Sequence, residues 1–167
     1  QIDSMEESSS MAETAIIYRN VADGLDTVEE ASQSIISTMA AFGIESNNTM
    51  SIIDKFNEVG NNFSITSAGI GDALQRSASA LFASGNTIDE AVALITAANQ
   101  VVQNPEVVGT AFKTLSLRLR GAKTELQEAG EDVEGMAEST SQLQAKLKAL
   151  TGGKVDIMAS ADEFKST

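Results

Sequence analysis

Lys113, Arg118, Arg120 and Lys123 follow one another with no acid between them, in a 167-residue chain whose net charge is −13. On a helix, Arg118 and Arg120 diverge by about 200° and cannot share a face. Lys113 and Arg120 do share one, and Lys123 lies beside Arg120. The spacing therefore makes one basic edge from Lys113, Arg120 and Lys123, with Arg118 pointing elsewhere. Such an edge can pair with the acidic helix and turn that follow it, or serve as a docking strip for an acidic partner. Nucleic acid is the least favoured target: no aromatic residues interleave the cations, and the net charge opposes binding.

The acids that follow are Glu125, Glu128, Glu131, Asp132, Glu134 and Glu138. A glycosidase pair needs two carboxylates facing across a cleft. These read instead as a solvated helix end and turn. The spacing of a helix–loop–helix calcium site, with its central glycine, is absent. Gly69-Ile70-Gly71 is too short a match for a nucleotide-binding fingerprint, and no phosphate-cradling loop is present. The chain has no histidine and no cysteine. The commonest general base, transition-metal ligand and thiolate nucleophile are missing with them. No catalytic residue, metal or cofactor is expected, and the chain does not read as an enzyme.

The element that carries the basic residues is the clearest helix in the sequence, from Asn104 to Gly130. Asn104 caps it, Pro105 sits at its first position, and Val108, Phe112, Leu115 and Leu119 define an apolar face. Gly130 is the natural stop, and Gly121 a candidate kink. Before it, Met11–Tyr18 predicts a helix with Ala12, Ile16 and Arg19 on one side and Gly24 as its end. Asp26 and Glu29 resemble a capping box ahead of a stripe at Val28, Ser32, Ile35, Met39 and Phe42, closed by Gly43. A third helix starts near Ser46–Asn48, with Ile52, Phe56, Val59 and Phe63 inward. A fourth follows a cap at Thr66 or Ser67, with Ile70, Leu74, Ser77 and Leu81. Thr87 and Glu90 form a second capping box before Ile88, Ala91, Val92, Ile95, Ala98 and Val102. The link Gln103-Asn104 is so short that the fifth and sixth helices should pack as a hairpin. A seventh helix should begin among Glu131, Asp132 and Glu134, present Met136, Thr140, Leu143, Leu147 and Leu150, and stop at Thr151-Gly152-Gly153. Val155–Met158 is a candidate extended piece.

The fold class expected is thus all-α, a multi-helix bundle of about six or seven helices with a central helical hairpin. Abundant alanine and serine, six phenylalanines, one tyrosine and a single proline suit slim, close-packed helices. The organisation expected is an N-terminal helical lead (1–25), a helical domain (26–153) and a C-terminal extension (154–167) cut from a longer chain. No apolar run approaches the roughly 20 residues that span a bilayer, and no signal peptide is visible. The acidic balance repels nucleic acid and anionic membrane on average.

Several segments are also familiar in their order. Phe56–Phe63 (FNEVGNNF), Ala73–Ser79 (ALQRSAS), Ile95–Asn99 (ITAAN), Val101–Gly109 and Arg118–Leu126 (RLRGAKTEL) resemble the bacteriophage tail tape measure protein family. Glu128–Glu131, Gly135–Ser139 and Val155–Met158 continue the match, which covers roughly residues 28–167. The resemblance implies a mostly helical virion protein in the tail tube interior, present in the host cytoplasm during assembly, whose length sets tail length. It implies tail tube and tail tip proteins and tail assembly chaperones as partners; self-association is suggested separately by the Leu143, Leu147 and Leu150 stripe, which would form a seam if exposed. It supplies no catalytic residues. The alternative is a generic helical adaptor or coiled-coil interaction module.

Overall fold

The structure is a computed structural model that describes residues 2–150; for residues 2–8 and Leu147 it describes the backbone alone. Among the described residues there are seven α-helices and no strand. They are α1 (Ile2–Val21), α2 (Val28–Phe42), α3 (Thr49–Asn62), α4 (Ser67–Ala83), α5 (Ile88–Val102), α6 (Pro105–Glu128) and α7 (Thr140–Leu150). A 3₁₀ turn, Ser46–Asn48, leads into α3. The all-α expectation holds. The expected stop at Thr151–Gly153, the extended piece at Val155–Met158 and the 154–167 extension lie outside the described residues, as does the Leu147 side chain.

The helix ends follow from local chemistry. Thr87 and Glu90 form the expected capping box: the Glu90 N–H donates to Thr87 Oγ1 at 3.2 Å, and the Thr87 N–H donates to Glu90 at 2.9 Å. The first box is shifted by one residue. Thr27, not Asp26, caps α2, and Glu30, not Glu29, reaches back, accepting from the N–H groups of both Asp26 and Thr27. Thr66 caps α4 through the Gly69 N–H. Gly43 ends α2 in the left-handed conformation at φ 64°, where L-residues with a Cβ are strained.

α4 is the hub. It packs most extensively on α6, then on α2, and also touches α3 and α5. A Cβ built on Gly69 would lie 2.9 Å from Pro105 Cγ, and one on Gly109 would lie 2.5 Å from the Ala73 carbonyl oxygen. These two contacts step equally along both helices, so α4 and α6 run in the same direction. Gly71 lets α4 close on α2, since a Cβ there would overlap Ser34 Oγ. Gly69 and Gly71 therefore serve contact between helices. α5 and α6 are neighbours, as expected of a hairpin, but the main support of α6 is α4.

The stripes of α3 and α4 are as expected at Ile52, Phe56, Val59, Ile70, Leu74, Ser77 and Leu81, all buried, whereas Phe63 lies just past the end of α3 and is half-buried. Three other faces differ. In α1 the inward side chains are Ala15 and Tyr18, joined by Ala22 just past the helix end, while Ala12, Ile16 and Arg19 are exposed. Tyr18 stacks against Phe56 with ring centroids 6.2 Å apart. In α2 the buried face is Ala31, Ser34, Ile35, Thr38, Met39 and Phe42, and Val28 is exposed. In α5 every residue from Ala91 to Ala97 is buried, so the helix is enclosed on all sides over that stretch, while Val102 is exposed. Each fully buried aliphatic or aromatic side chain contributes about 1.5–3 kcal/mol.

α7 starts later than the acids suggested. Glu131, Asp132 and Glu134 lie in a loop, where Asp132 Oδ1 accepts from the Glu134 N–H at 2.8 Å. The helix begins at Thr140, once Ser139 Oγ accepts from the Gln142 N–H at 3.1 Å. A short polar side chain at that point satisfies a free N–H that the distant carboxylates cannot reach.

Candidate functional site

The surface of α6 is the candidate site, and its orientation is set by three features. Asn104 Oδ1 accepts from the Val107 N–H at 3.1 Å, and Pro105 occupies the first position. Val108, Gly109, Phe112 and Ser116 face the bundle. Ser116 Oγ meets Thr140 Oγ1 at 3.1 Å, with both residues buried. The inward line is therefore spaced by four, from Val108 through Phe112 to Ser116. Leu119 is only half-buried and Leu115 is 38% exposed, contrary to the expected face. The helix is continuous through Gly121, and its 24 residues span about 36 Å.

The four basic residues differ in their partners. Lys123 Nζ pairs with Glu138 Oε1 at 3.2 Å, across to the loop before α7. An exposed pair of this kind contributes at most about 1 kcal/mol. Among the described residues Lys113, Arg118 and Arg120 form no ion pair within the chain. Arg118 lies about 140° around the helix from Lys113, on the opposite flank of the buried line.

On that opposite flank is a feature the sequence reading missed. Val107, Thr110, Ala111, Thr114, Leu115 and Arg118 share one face of α6 and line an open groove of about 580 Å³. Arg76 of α4 and Glu106 line its other part and pair at 2.9 Å. Thr110 Oγ1 donates to the Glu106 carbonyl at 2.9 Å, and Thr114 Oγ1 donates to the Thr110 carbonyl at 3.0 Å. Both hydroxyls are turned back onto the helix, which leaves the groove apolar. Its signal was present in the sequence as a second stripe at Val107, Ala111 and Leu115. The stronger stripe beginning at Val108 concealed it.

A smaller hollow of about 180 Å³ lies among Glu30, Gln33, Ser34, Asp72 and Gln75. Burial, then the negative field of Glu106, holds the Asp72 carboxyl above its ordinary range, against the opposing pull of Arg76 and with a further push from Glu30. Nearby, burial pushes the Tyr18 phenol well up, while its Oη donates to the Ser67 carbonyl at 3.3 Å. Lys55 pairs with Asp89 between α3 and α5, and burial draws its ammonium below the usual range.

The acids Glu125, Glu128, Glu131, Asp132, Glu134 and Glu138 are exposed. Among the described residues no group of three or more histidine, cysteine, aspartate or glutamate side chains is placed to hold a metal ion. None of the described helices is long and apolar enough to cross a membrane. α6 thus carries an apolar groove on one flank and a basic edge on the other.

A family model described as phage-related minor tail protein matches residues 3–161. No solved structure matches the chain.

Proposed function

The chain belongs to the phage-related minor tail protein family, and from that premise we propose that it is a structural segment of a tape measure protein. In this role it sets tail length and scaffolds tail assembly. The family membership makes the chain a phage tail protein with a structural role, located in the virion tail among other tail components.

One observation favours the ruler reading above all. The segments that resemble tape measure proteins run in order through α3 to α6 and the loop that follows. Residues 2–150 fold back as a bundle, so the conversion of residue number into length, at about 1.5 Å per residue, belongs to extended helix in the assembled tail. On this reading the segment occupies the tail tube interior, after assembly in the host cytoplasm. Its partners are the tube and tip proteins, the tail assembly chaperones and further copies of the chain. The basic edge of Lys113, Arg120 and Lys123 contacts an acidic surface, of which Glu138 supplies a part within the chain. Direct binding of nucleic acid by this segment is not part of the proposal.

The test is made in the phage. Deletion of about four helical heptads from the gene encoding this chain, outside residues 1–167, removes about 42 Å of helix. Tails shortened by that amount in electron micrographs support the ruler reading. Tails of unchanged length overturn it in favour of a helical adaptor. Replacement of Lys113, Arg120 and Lys123 together by glutamine is expected to weaken binding to tail partners. Unchanged stability and unchanged binding would remove the basic edge from the proposal.

A further inference from the structure

The groove on α6 lies on the other flank from the basic edge, and its chemistry is different. Val107, Ala111 and Leu115 recur every four residues and form one ridge, with Val107 53% and Leu115 38% exposed. From Val107 to Arg118 the face extends about 16 Å, or three helical turns. The hydroxyls of Thr110 and Thr114 are committed to carbonyls of their own helix, so a partner meets methyl groups there. The acid at one end, Glu106, is engaged by Arg76. The cation at the other end, Arg118, has no ion pair among the described residues.

We propose that this groove is a docking site for an acidic amphipathic helix of another tail component. Its apolar side rests on Val107, Ala111 and Leu115, and a carboxylate on its flank meets Arg118. The inference rests on the reading of the chain as a structural tail protein and specifies the chemistry of one partner.

Shape and charge both select that occupant. A ridge of residues spaced by four accepts the ridges of a second helix, with apolar anchors at i, i+3, i+4 and i+7. The floor is aliphatic, with no aromatic ring on which a base could stack. On the groove's own flank Arg118 is the cation with no ion pair among the described residues, and Glu106 is already engaged by Arg76. A helix flanked by carboxylates is attracted at Arg118, and one flanked by lysines is repelled there.

The experiment uses the full chain and a fluorescein-labelled synthetic helical peptide with leucines at i, i+3, i+4 and i+7 and glutamates on its flank. A peptide with lysines in place of the glutamates and a scrambled peptide serve as controls. Fluorescence anisotropy is expected to show saturable binding of the glutamate peptide alone. Ala111→Glu, at an exposed position, is expected to abolish binding while the helical circular dichroism is retained. Arg118→Glu should weaken binding about tenfold and favour the lysine peptide instead. Lys113→Gln with Arg120→Gln, on the far edge, should leave binding unchanged.

Equal binding of the glutamate and lysine peptides would overturn the proposal, as would absence of saturable binding or indifference to Ala111→Glu. Sedimentation of the chain alone supplies another refuting result. Self-association abolished by Ala111→Glu would assign the groove to a second copy of the chain. Tail length is measured independently. Failure of the peptide experiment with tails that still shorten in proportion removes the groove and leaves the tape measure reading intact. Success of the peptide experiment with tails of constant length keeps the groove and removes the ruler.

Discussion

Two glycines of α6 should respond in opposite ways to the same substitution. At Gly109 an added Cβ would lie 2.5 Å from the Ala73 carbonyl oxygen, 2.8 Å from its Cα and 3.0 Å from its carbonyl carbon. All three atoms are backbone and cannot rotate aside. Ordinary contact begins near 3.4 Å, so the two helices would have to separate by 3.4 − 2.5, or about 0.9 Å. Overpacking of this kind costs about 1–3 kcal/mol, and the higher helix propensity of alanine returns up to about 1 kcal/mol. Because the three atoms are backbone, the cost lies at the upper end, so Gly109→Ala should lose about 3 − 1, or about 2 kcal/mol, a fall in Tm of about 4–8 °C for a domain of this size. At Gly121 an added Cβ meets nothing within 4 Å. Gly121→Ala should gain about 0.5–1 kcal/mol from propensity alone. Urea and thermal unfolding followed by circular dichroism at 222 nm measure both. If Gly109→Ala equals or exceeds the parent in stability, close contact of α4 and α6 does not hold the α6 surface in place, and the argument fails.

Two further perturbations probe other parts of the bundle. Asp72 has a folded-state pKa above its unfolded value, through burial and then the field of Glu106. Its ionised form therefore costs stability above the folded pKa, and that cost disappears as the pH falls toward the ordinary aspartate range. Asp72→Asn should raise Tm at pH 7, with an advantage that shrinks as the pH is lowered toward 4; a constant advantage would contradict the assignment. Asn86 is buried and joins two elements: its Nδ2 donates to the Leu81 carbonyl at 2.9 Å, and its Oδ1 accepts from the Ser141 N–H at 3.2 Å and from Ser141 Oγ at 3.1 Å. Asn86→Ala should cost about 1–3 kcal/mol. Hydrogen exchange should quicken first in α7; uniform acceleration across the bundle would show that α7 is not held separately.

What the sequence determined by itself is local. Asn104-Pro105, the Thr87–Glu90 box and Gly43 define helix ends through hydrogen bonds and backbone preferences that act over a few residues. The stripes of α3 and α4 were legible because each of those helices has one apolar face to bury. The all-α class followed from the same periodicity, and the separation of Arg118 from Lys113 and Arg120 from helical geometry alone. The tertiary structure decided which face wins where the pattern offers two. In α1, Tyr18 and Ala15 turn inward and Ile16 turns out, because the ring of Phe56 is available to Tyr18. In α5, Ala91–Ala97 is enclosed by neighbours, and no periodicity marks a helix buried all round. Gly69, Gly71 and Gly109 became contact points only when a second helix approached them. The groove at Val107, Ala111 and Leu115 exists because α4 draws Val108 and Phe112 inward, and the choice between adjacent stripes is made by the partner helix, which lies far away in the chain.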